Sequence, residues 1–449
     1  MKRYVRIIPT LLILLMIGNL SGAQIITNLA GSAPAGFAGD GGPASAAKLQ
    51  YVYGIATDNA GNTYFSDYGN NRVRKITASG TITTLAGTGT AGYNGDGITA
   101  TTAELNGPMG VAVDPSGNYV YIADNMNNRI RMINTATGNI STVAGTGVVG
   151  GSGDGGPATA AQIRTPEGLA LDAAGNLYLD DNYSQIRKVD AASGNISTVA
   201  GGGVNPPLDG AVATTVYLYL EYIAVNANGD LYLTSPGYHL VRKIAAGSGI
   251  LSTVAGNGTG GYAGDGGAGS SAEVYYPYGI TLDAAGNLFI ADESNNRIRK
   301  VDAITGIITT YAGNGTFDDT GDGGLATGAA LSHPYSICMD HSGNLIVSDS
   351  SFCIRKITTL TGIDEHPSEA TVNIYPVPSS GILTIILHGN GYTSLELEDL
   401  SGRVVCSKAL NPGGTNQLEE LNLDLQDGLY LVKISKGLET TVRKICFQK

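Results

Sequence analysis

Aspartates and arginines recur in this chain at near-constant intervals, and the intervals constrain the chemistry they can do. Asp40, Asp96, Asp154, Asp209, Asp265 and Asp322 sit in glycine-rich loops 56, 58, 55, 56 and 57 residues apart. One carboxylate per loop could help ligate a cation, but calcium takes about six to eight oxygens. The loops also lack Asp-x-Asp-x-Asp spacing. Glycine at positive φ and an Asp capping backbone amides make a tight turn, which is the expected role. Arg74, Arg131, Arg187, Arg242, Arg299 and Arg355 recur in all six copies, and Asp67, Asp124, Asp181, Asp292 and Asp349 in five. That regularity points to repeated ion pairs rather than to catalysis. The five histidines, His239, His333, His341, His366 and His388, are scattered with no two at metal-ligand spacing. No Gly-x-Ser-x-Gly elbow, phosphate loop or reactive-cysteine motif occurs. No residue is therefore assigned as catalytic and no cofactor is expected, with calcium left open.

Binding chemistry is better sought where the copies differ. The residue just before the inner-strand glycine position is Tyr53, Met109, Glu167, Glu221, Tyr278 and Tyr335 in chain order. Three tyrosines would form an aromatic arc opposite two glutamates, and Tyr51, Tyr219, Tyr275, Tyr276 and His333 lie close enough in sequence to enlarge it. Tyrosine offers a broad apolar face with a polar tip, suited to sugar rings or peptide side chains. Paired carboxylates suit an amine, a hydroxyl pair or a cation, and their mutual repulsion raises one pKa. The fourth copy departs most, with Asn226 and Ser235 where others have Asp, Leu240 for the first Arg, and Pro206-Pro207-Leu208 before a shortened Asp209-Gly210 loop.

The elements that must position these residues are short strands. ITNLAG, ITTLAG, ISTVAG, ISTVAG, LSTVAG and ITTYAG are six copies of one strand, the first at 26–31. Each is followed by a glycine loop, a Pro-x-Gly strand, a Gly-Asn turn and an Arg-Ile-Arg-Lys strand. A repeat of this length means a ring or a solenoid. The chain starts on the fourth strand of a unit and its last unit has three, so the ends complete each other and remove exposed sheet edges. The prediction is an all-β chain: a six-bladed β-propeller at 24–360, closed by its N-terminal strand. The Gly-Asp-Gly-Gly loops and Asn-Asn-Arg turns should share one face, with the Asp-x-x-Gly-Asn turns opposite. The 65 glycines and the Val, Ile, Thr and Tyr of the strands agree. A formal net charge of −12 argues against nucleic acid.

Residues 1–23 run from a basic start (MKRYVR) through an apolar stretch to Ser21-Gly22-Ala23 and read as a signal peptide. No later apolar run is long enough to span a bilayer as a helix. Cys338 and Cys353 fall on non-neighbouring strands and are expected to stay free, while Cys406 and Cys446 could pair. The segment 361–370 reads as a linker before a small β-domain at 371–449.

Two resemblances carry these readings further. NIYPVPSSGILTI at 373–385, LEDLSGRVV at 397–405, LDLQDGLYLVKISKG at 423–437 and the basic end VRKICFQK make the tail similar to C-terminal sorting domains of type IX secretion substrates. Val377 departs from that pattern, which usually has Asn between its two prolines. The resemblance implies a small β-sandwich, the type IX secretion machinery as a partner, and transport to the outer-membrane surface or the medium. PMGVAVDPSGNYVYIADNMNNRIRMI at 108–133 and PYGITLDAAGNLFIADESNNRIRKV at 277–301 resemble NHL repeats. That family implies the propeller but includes scaffolds, ligand-binding modules and lyases, so fold alone does not choose a function. The expectation is a secreted binding module for an extracellular glycan or protein, using the long-loop face. The alternative is a calcium-dependent lactonase-like or lyase-like enzyme.

Overall fold

The computed structural model describes residues 24–181, 184–359 and, in the C-terminal region, 372–375, 382–387, 391–399, 403–411, 417–423, 428–436 and 439–447. The proposed signal peptide, the linker and Val377 lie outside them.

The chain is all-β. Short antiparallel strands, each connected to the next by a turn, build one sheet of four strands per repeat, to which the second repeat adds a two-residue fifth strand, Ile98–Thr99, at its outer edge. Sheet one comprises Val52–Thr57, Thr63–Asp67, Arg72–Ile76 and Ile82–Ala86. Sheet two begins at Pro108–Val113, sheet three at Leu169–Leu171, sheet four at Ile223–Val225 and sheet five at Pro277–Leu282. Sheet six begins at Ile337–Met339, and its outermost strand is the N-terminal Gln24–Ala30, paired antiparallel to Ile354–Thr359 with Ile26 opposite Ile357.

The second strand of a sheet, such as Leu288–Asp292 (LFIAD), is buried along its whole length. That is the pattern of a strand covered on both faces. Its neighbours pack in apolar clusters between successive sheets: Tyr64 and Val73 of sheet one meet Val120 and Ile122 of sheet two. Corresponding clusters join two to three, three to four, four to five and five to six. Ile346 and Ile354 of sheet six pack with Ile55 and Phe65 of sheet one in the same way.

The periodic charges form a repeated clamp. Arg74, fully buried, places one guanidinium nitrogen 2.7 Å from loop Asp40 and another 3.5 Å from strand Asp67. Arg131 sits likewise between Asp96 and Asp124, Arg187 between Asp154 and Asp181, and Arg299 between Asp265 and Asp292. Each loop is thus tied to the third strand of its sheet. The second oxygen of Asp40 accepts from the Thr84 hydroxyl at 2.6 Å, so each carboxylate oxygen has a protein donor. In sheet four Ser235 replaces the strand Asp, and Arg242 approaches Asp209 only to 3.6 Å while also donating to the Pro207 carbonyl.

In the C-terminal region a three-stranded and a four-stranded sheet share one core, with Leu383 and Ile385 from the first packed against Leu395, Leu397, Val432 and Ile434 from the second. The Cys406–Cys446 pairing left open by the sequence is not formed. Cys406 is a free thiol, as are Cys338 and Cys353. The strands carrying Cys406 (Val404–Ala409) and Cys446 (Glu439–Phe447) are the opposite edges of the four-stranded sheet. Three inter-strand spacings, about 14 Å, exceed the ~7 Å limit on Cα separation in a disulfide.

Candidate functional site

The residues at the entry to each inner strand are brought toward one another because the inner strands themselves are closely spaced. A methyl group at Gly54 would fall 2.3 Å from the Met109 carbonyl, at Gly110 2.1 Å from that of Glu167, and at Gly279 2.4 Å from that of Tyr335. Only glycine fits such an approach of backbone to backbone. The side chains just before these positions, Tyr53, Met109, Glu167, Glu221, Tyr278 and Tyr335, are all half-buried.

Three of them form a continuous aromatic wall. Tyr53 and Tyr335 meet edge to face with ring centres 5.0 Å apart, and Tyr335 and Tyr278 lie 4.7 Å apart. Tyr68 abuts Tyr53 at 4.9 Å, and Tyr51 stacks parallel to it at 6.3 Å. The Tyr278 hydroxyl then lies beside the Glu221 carboxyl and interacts with it, joining the wall to the acidic side. Met109 holds the same register on sheet two and adds neither ring nor charge.

The acidic side is electrostatically frustrated. Burial, then the charge of Glu167, pushes the Glu221 carboxyl up to about 7, against an opposing pull from the Tyr278 hydroxyl. A carboxyl missed in the sequence joins them. Asp180, in the DD pair of LYLDD where four other copies read SD or AD and the fourth copy reads TS, is fully buried. Its Oδ1 accepts the Glu167 and Gly168 amides at 2.5 and 3.0 Å, and its Oδ2 has no hydrogen-bond partner among the described residues. Burial and the nearby Glu167 hold its pKa well above the usual carboxylate range. The phenols of Tyr278 and Tyr335 are also raised, and that of Tyr53 is pushed up to about 12, in each case chiefly by burial, so all present neutral rings.

Tyr222 was missed as well. It occupies the position that is glycine in four copies and Ser336 in the sixth, and its hydroxyl donates to the Tyr53 carbonyl, linking sheet four to sheet one. The local signal was the replacement of glycine by a ring directly after Glu221.

A second tier surrounds the wall. Tyr51, Tyr276 and His333 adopt left-handed backbone, φ +58°, +50° and +45°, which is costly for such side chains. The second Asn of each Asn-Asn-Arg turn helps hold this tier: Asn71 Oδ1 accepts the Gly107 amide, Asn128 the Thr165 amide and Asn296 the His333 amide, at 2.9–3.0 Å. His239 substitutes in sheet four, accepting from Tyr276 at 3.3 Å and packing on the rings of Tyr275 and Tyr276. Tyr219, exposed, packs with Tyr217 and Tyr238 in a separate group. Between sheets six and one lies a cavity of about 210 Å³ lined by Tyr51, Tyr53, Tyr335, Glu293 and His333, where His333 Nδ1 is 2.8 Å from Glu293 Oε1. No group of three or more His, Cys, Asp or Glu among the described residues is arranged to hold a metal ion.

Glu221→Gln gives a direct check on this electrostatics. The folded-state pKa of about 7 exceeds the ordinary 4.5. The stability this group contributes is therefore fully present below about pH 4.5 and lost as pH rises through 7. The neutral amide avoids that loss. The variant should be more stable than the parent by roughly 3 kcal/mol at pH 8 and no more stable at pH 4.5, as read from urea midpoints.

Together these features define a repeat protein of propeller-like sheets with one aromatic and acidic mouth. Residues 373–448 match the secretion system C-terminal sorting domain, so the chain carries a tail that indicates export to the cell surface or beyond. Its curated relatives include NHL repeat-containing proteins: it is 26% identical over 415 residues to NHL repeat-containing protein 2 of Bos taurus, covering 84% of this chain and 55% of that one. The chain thus spans about half the length of that relative, and less of the next two. Among solved structures it is similar to a protein of unknown function from Bacteroides thetaiotaomicron (TM-score 0.56, 20% identity, 75% and 76% of the two chains). It is similar too to an auxiliary nutrient binding protein from Bacteroides ovatus (TM-score 0.55, 17% identity, 75% and 77%). At these identities the likeness establishes the fold alone. No helix among the described residues is long and apolar enough to cross a membrane.

Proposed function

We propose that residues 24–360 close into a six-bladed propeller that binds an extracellular glycan or protein partner, without turnover, through the mouth lined by Tyr53, Glu167, Glu221, Tyr278 and Tyr335. The signal peptide at 1–23 takes the chain out of the cytoplasm. The domain at 371–449, beyond the 361–370 linker, engages the type IX secretion machinery, leaving the propeller secreted or on the outer-membrane surface. Ring closure is supported by the apolar cluster between sheets six and one and by the pairing of Gln24–Ala30 into sheet six.

The observation that carries the binding reading is the continuous Tyr53–Tyr335–Tyr278–Glu221 contact, because it is made of residues that break the repeat. The periodic charges, by contrast, are accounted for by the arginine clamps. The nutrient-binding role of the Bacteroides ovatus protein is compatible with a surface role of this kind.

Thermal unfolding of the full-length chain against a panel of glycans and peptides tests it, since a ligand of the folded form raises the melting temperature. A saturable rise without product formation is expected. A rise that needs calcium, accompanied by lactone hydrolysis and lost in Glu167→Gln or Glu221→Gln, would replace this reading with the enzymatic one. No shift with any ligand would favour a purely structural surface role.

A further inference from the structure

Resting on that reading of the mouth, we infer that the group it receives is an organic ammonium ion, protonated or quaternary, held by Glu167 and Glu221 and walled by Tyr53, Tyr278 and Tyr335.

The first ground is charge. Asp67, Asp124, Asp181 and Asp292 are buried and each faces an arginine. Glu221 and Asp180 do not: the charges felt by Glu221 are those of Glu167 and Glu293, and those felt by Asp180 are Glu167 and Asp181. Asp180 adds the independent sign of an incomplete site, a fully buried carboxyl whose Oδ2 lacks a partner among the described residues. A cation entering beside Glu167 would relieve the repulsion that raises both neighbours.

The second ground is the kind of cation. A metal ion needs several oxygen or nitrogen ligands converging at short range, and no group of three or more His, Cys, Asp or Glu among the described residues is arranged to supply them. The tyrosines keep their phenolic protons and so offer ring faces rather than phenolate oxygens. Ring faces attract ammonium groups, and more strongly as water is excluded. The same group could arrive on a free amine or on a lysine side chain of a peptide.

The groups facing Glu221 are Glu167, Glu293, Tyr222, Tyr278 and Tyr335. Of these Glu221 favours a cation more as pH rises. With Glu221 titrating near 7, its ionised fraction rises roughly tenfold from pH 6 to pH 8.

The test is calorimetric titration of the full-length chain with choline, putrescine and a tri-lysine peptide. Potassium, calcium and a neutral maltooligosaccharide serve as comparisons. Because the chain has no tryptophan, tyrosine difference absorption reports the same event. The expected result is saturable binding of an ammonium probe at pH 8, roughly tenfold weaker at pH 6. Glu221→Gln and Glu167→Gln should each weaken it by a similar factor, while the exposed-loop variant Asp318→Asn leaves it unchanged. Choline or putrescine binding without the peptide identifies a free amine, and peptide binding identifies a side chain; either supports the inference. Equal binding of potassium or calcium, no response to ammonium probes, or indifference to Glu221→Gln would overturn it. Saturable maltooligosaccharide binding with no ammonium response would overturn it too, yet leave the binding module standing.

Discussion

Replacing Arg131 by alanine should destabilise the protein by about 3–5 kcal/mol, the usual result of removing one partner from a buried ion pair. Arg131 is fully buried, 3.1 Å from Asp96 and 3.4 Å from Asp124, and donates to the Gly95 carbonyl at 2.8 Å. Without it Asp124 keeps the burial that already raises its pKa and loses the counter-ion that lowers it. The loop at Asp96 is released as well. Arg242→Ala in sheet four should cost distinctly less, because Ser235 leaves no buried carboxylate behind and the Asp209 contact is 3.6 Å. Urea midpoints of the two variants provide the comparison. Equal losses would mean that packing of the arginine stem, not charge, holds the clamp.

Gly110→Ala should be similarly damaging, by about 3 kcal/mol, for a steric reason. The added methyl would stand 2.1 Å from the Glu167 carbonyl oxygen, and no flexible side chain can yield because the obstacle is backbone. Separation of these two strands would also shift Glu167 and the amides that hold Asp180, so ligand binding should fall along with the melting temperature. Gly41→Ala is the control. Nothing lies within 4 Å of the added methyl there, and only the backbone strain at φ +82° remains, so about 1 kcal/mol is expected.

The all-β repeat of four-stranded sheets was legible because a 55–58-residue period, alternating β-branched strands and Gly-Asn turns survive without any tertiary knowledge. The arginine clamps were legible for the same reason: Asp67 and Arg74 lie diagonally across neighbouring strands, two residues from direct register, with Asp67 opposite Arg72 and Phe65 opposite Arg74. What could not be read was contact between distant copies. Tyr222 reaches the carbonyl of Tyr53, 169 residues away, and no local pattern announces such a bond. Asp180 was masked by its neighbour Asp181, which satisfied the periodic expectation and left the extra carboxylate looking incidental. The second asparagine of the Asn-Asn-Arg turn was read as turn chemistry, whereas Asn128 takes left-handed backbone at φ +52° and also fastens the next repeat through Thr165. The cysteine pairing failed on strand order, since proximity in sequence to one terminus says nothing about position across a sheet.

The central claim is that the mouth, rather than the periodic loops, carries the function. Its most direct test is the affinity of the full-length chain for the strongest hit from the glycan, peptide and ammonium panels, measured by calorimetry for the parent, Tyr53→Ala, Glu221→Gln and the loop variant Asp96→Asn. A loss of about tenfold or more, roughly 1.4 kcal/mol, in both mouth variants with Asp96→Asn unchanged is the predicted result. Unchanged affinity in Tyr53→Ala and Glu221→Gln would contradict it.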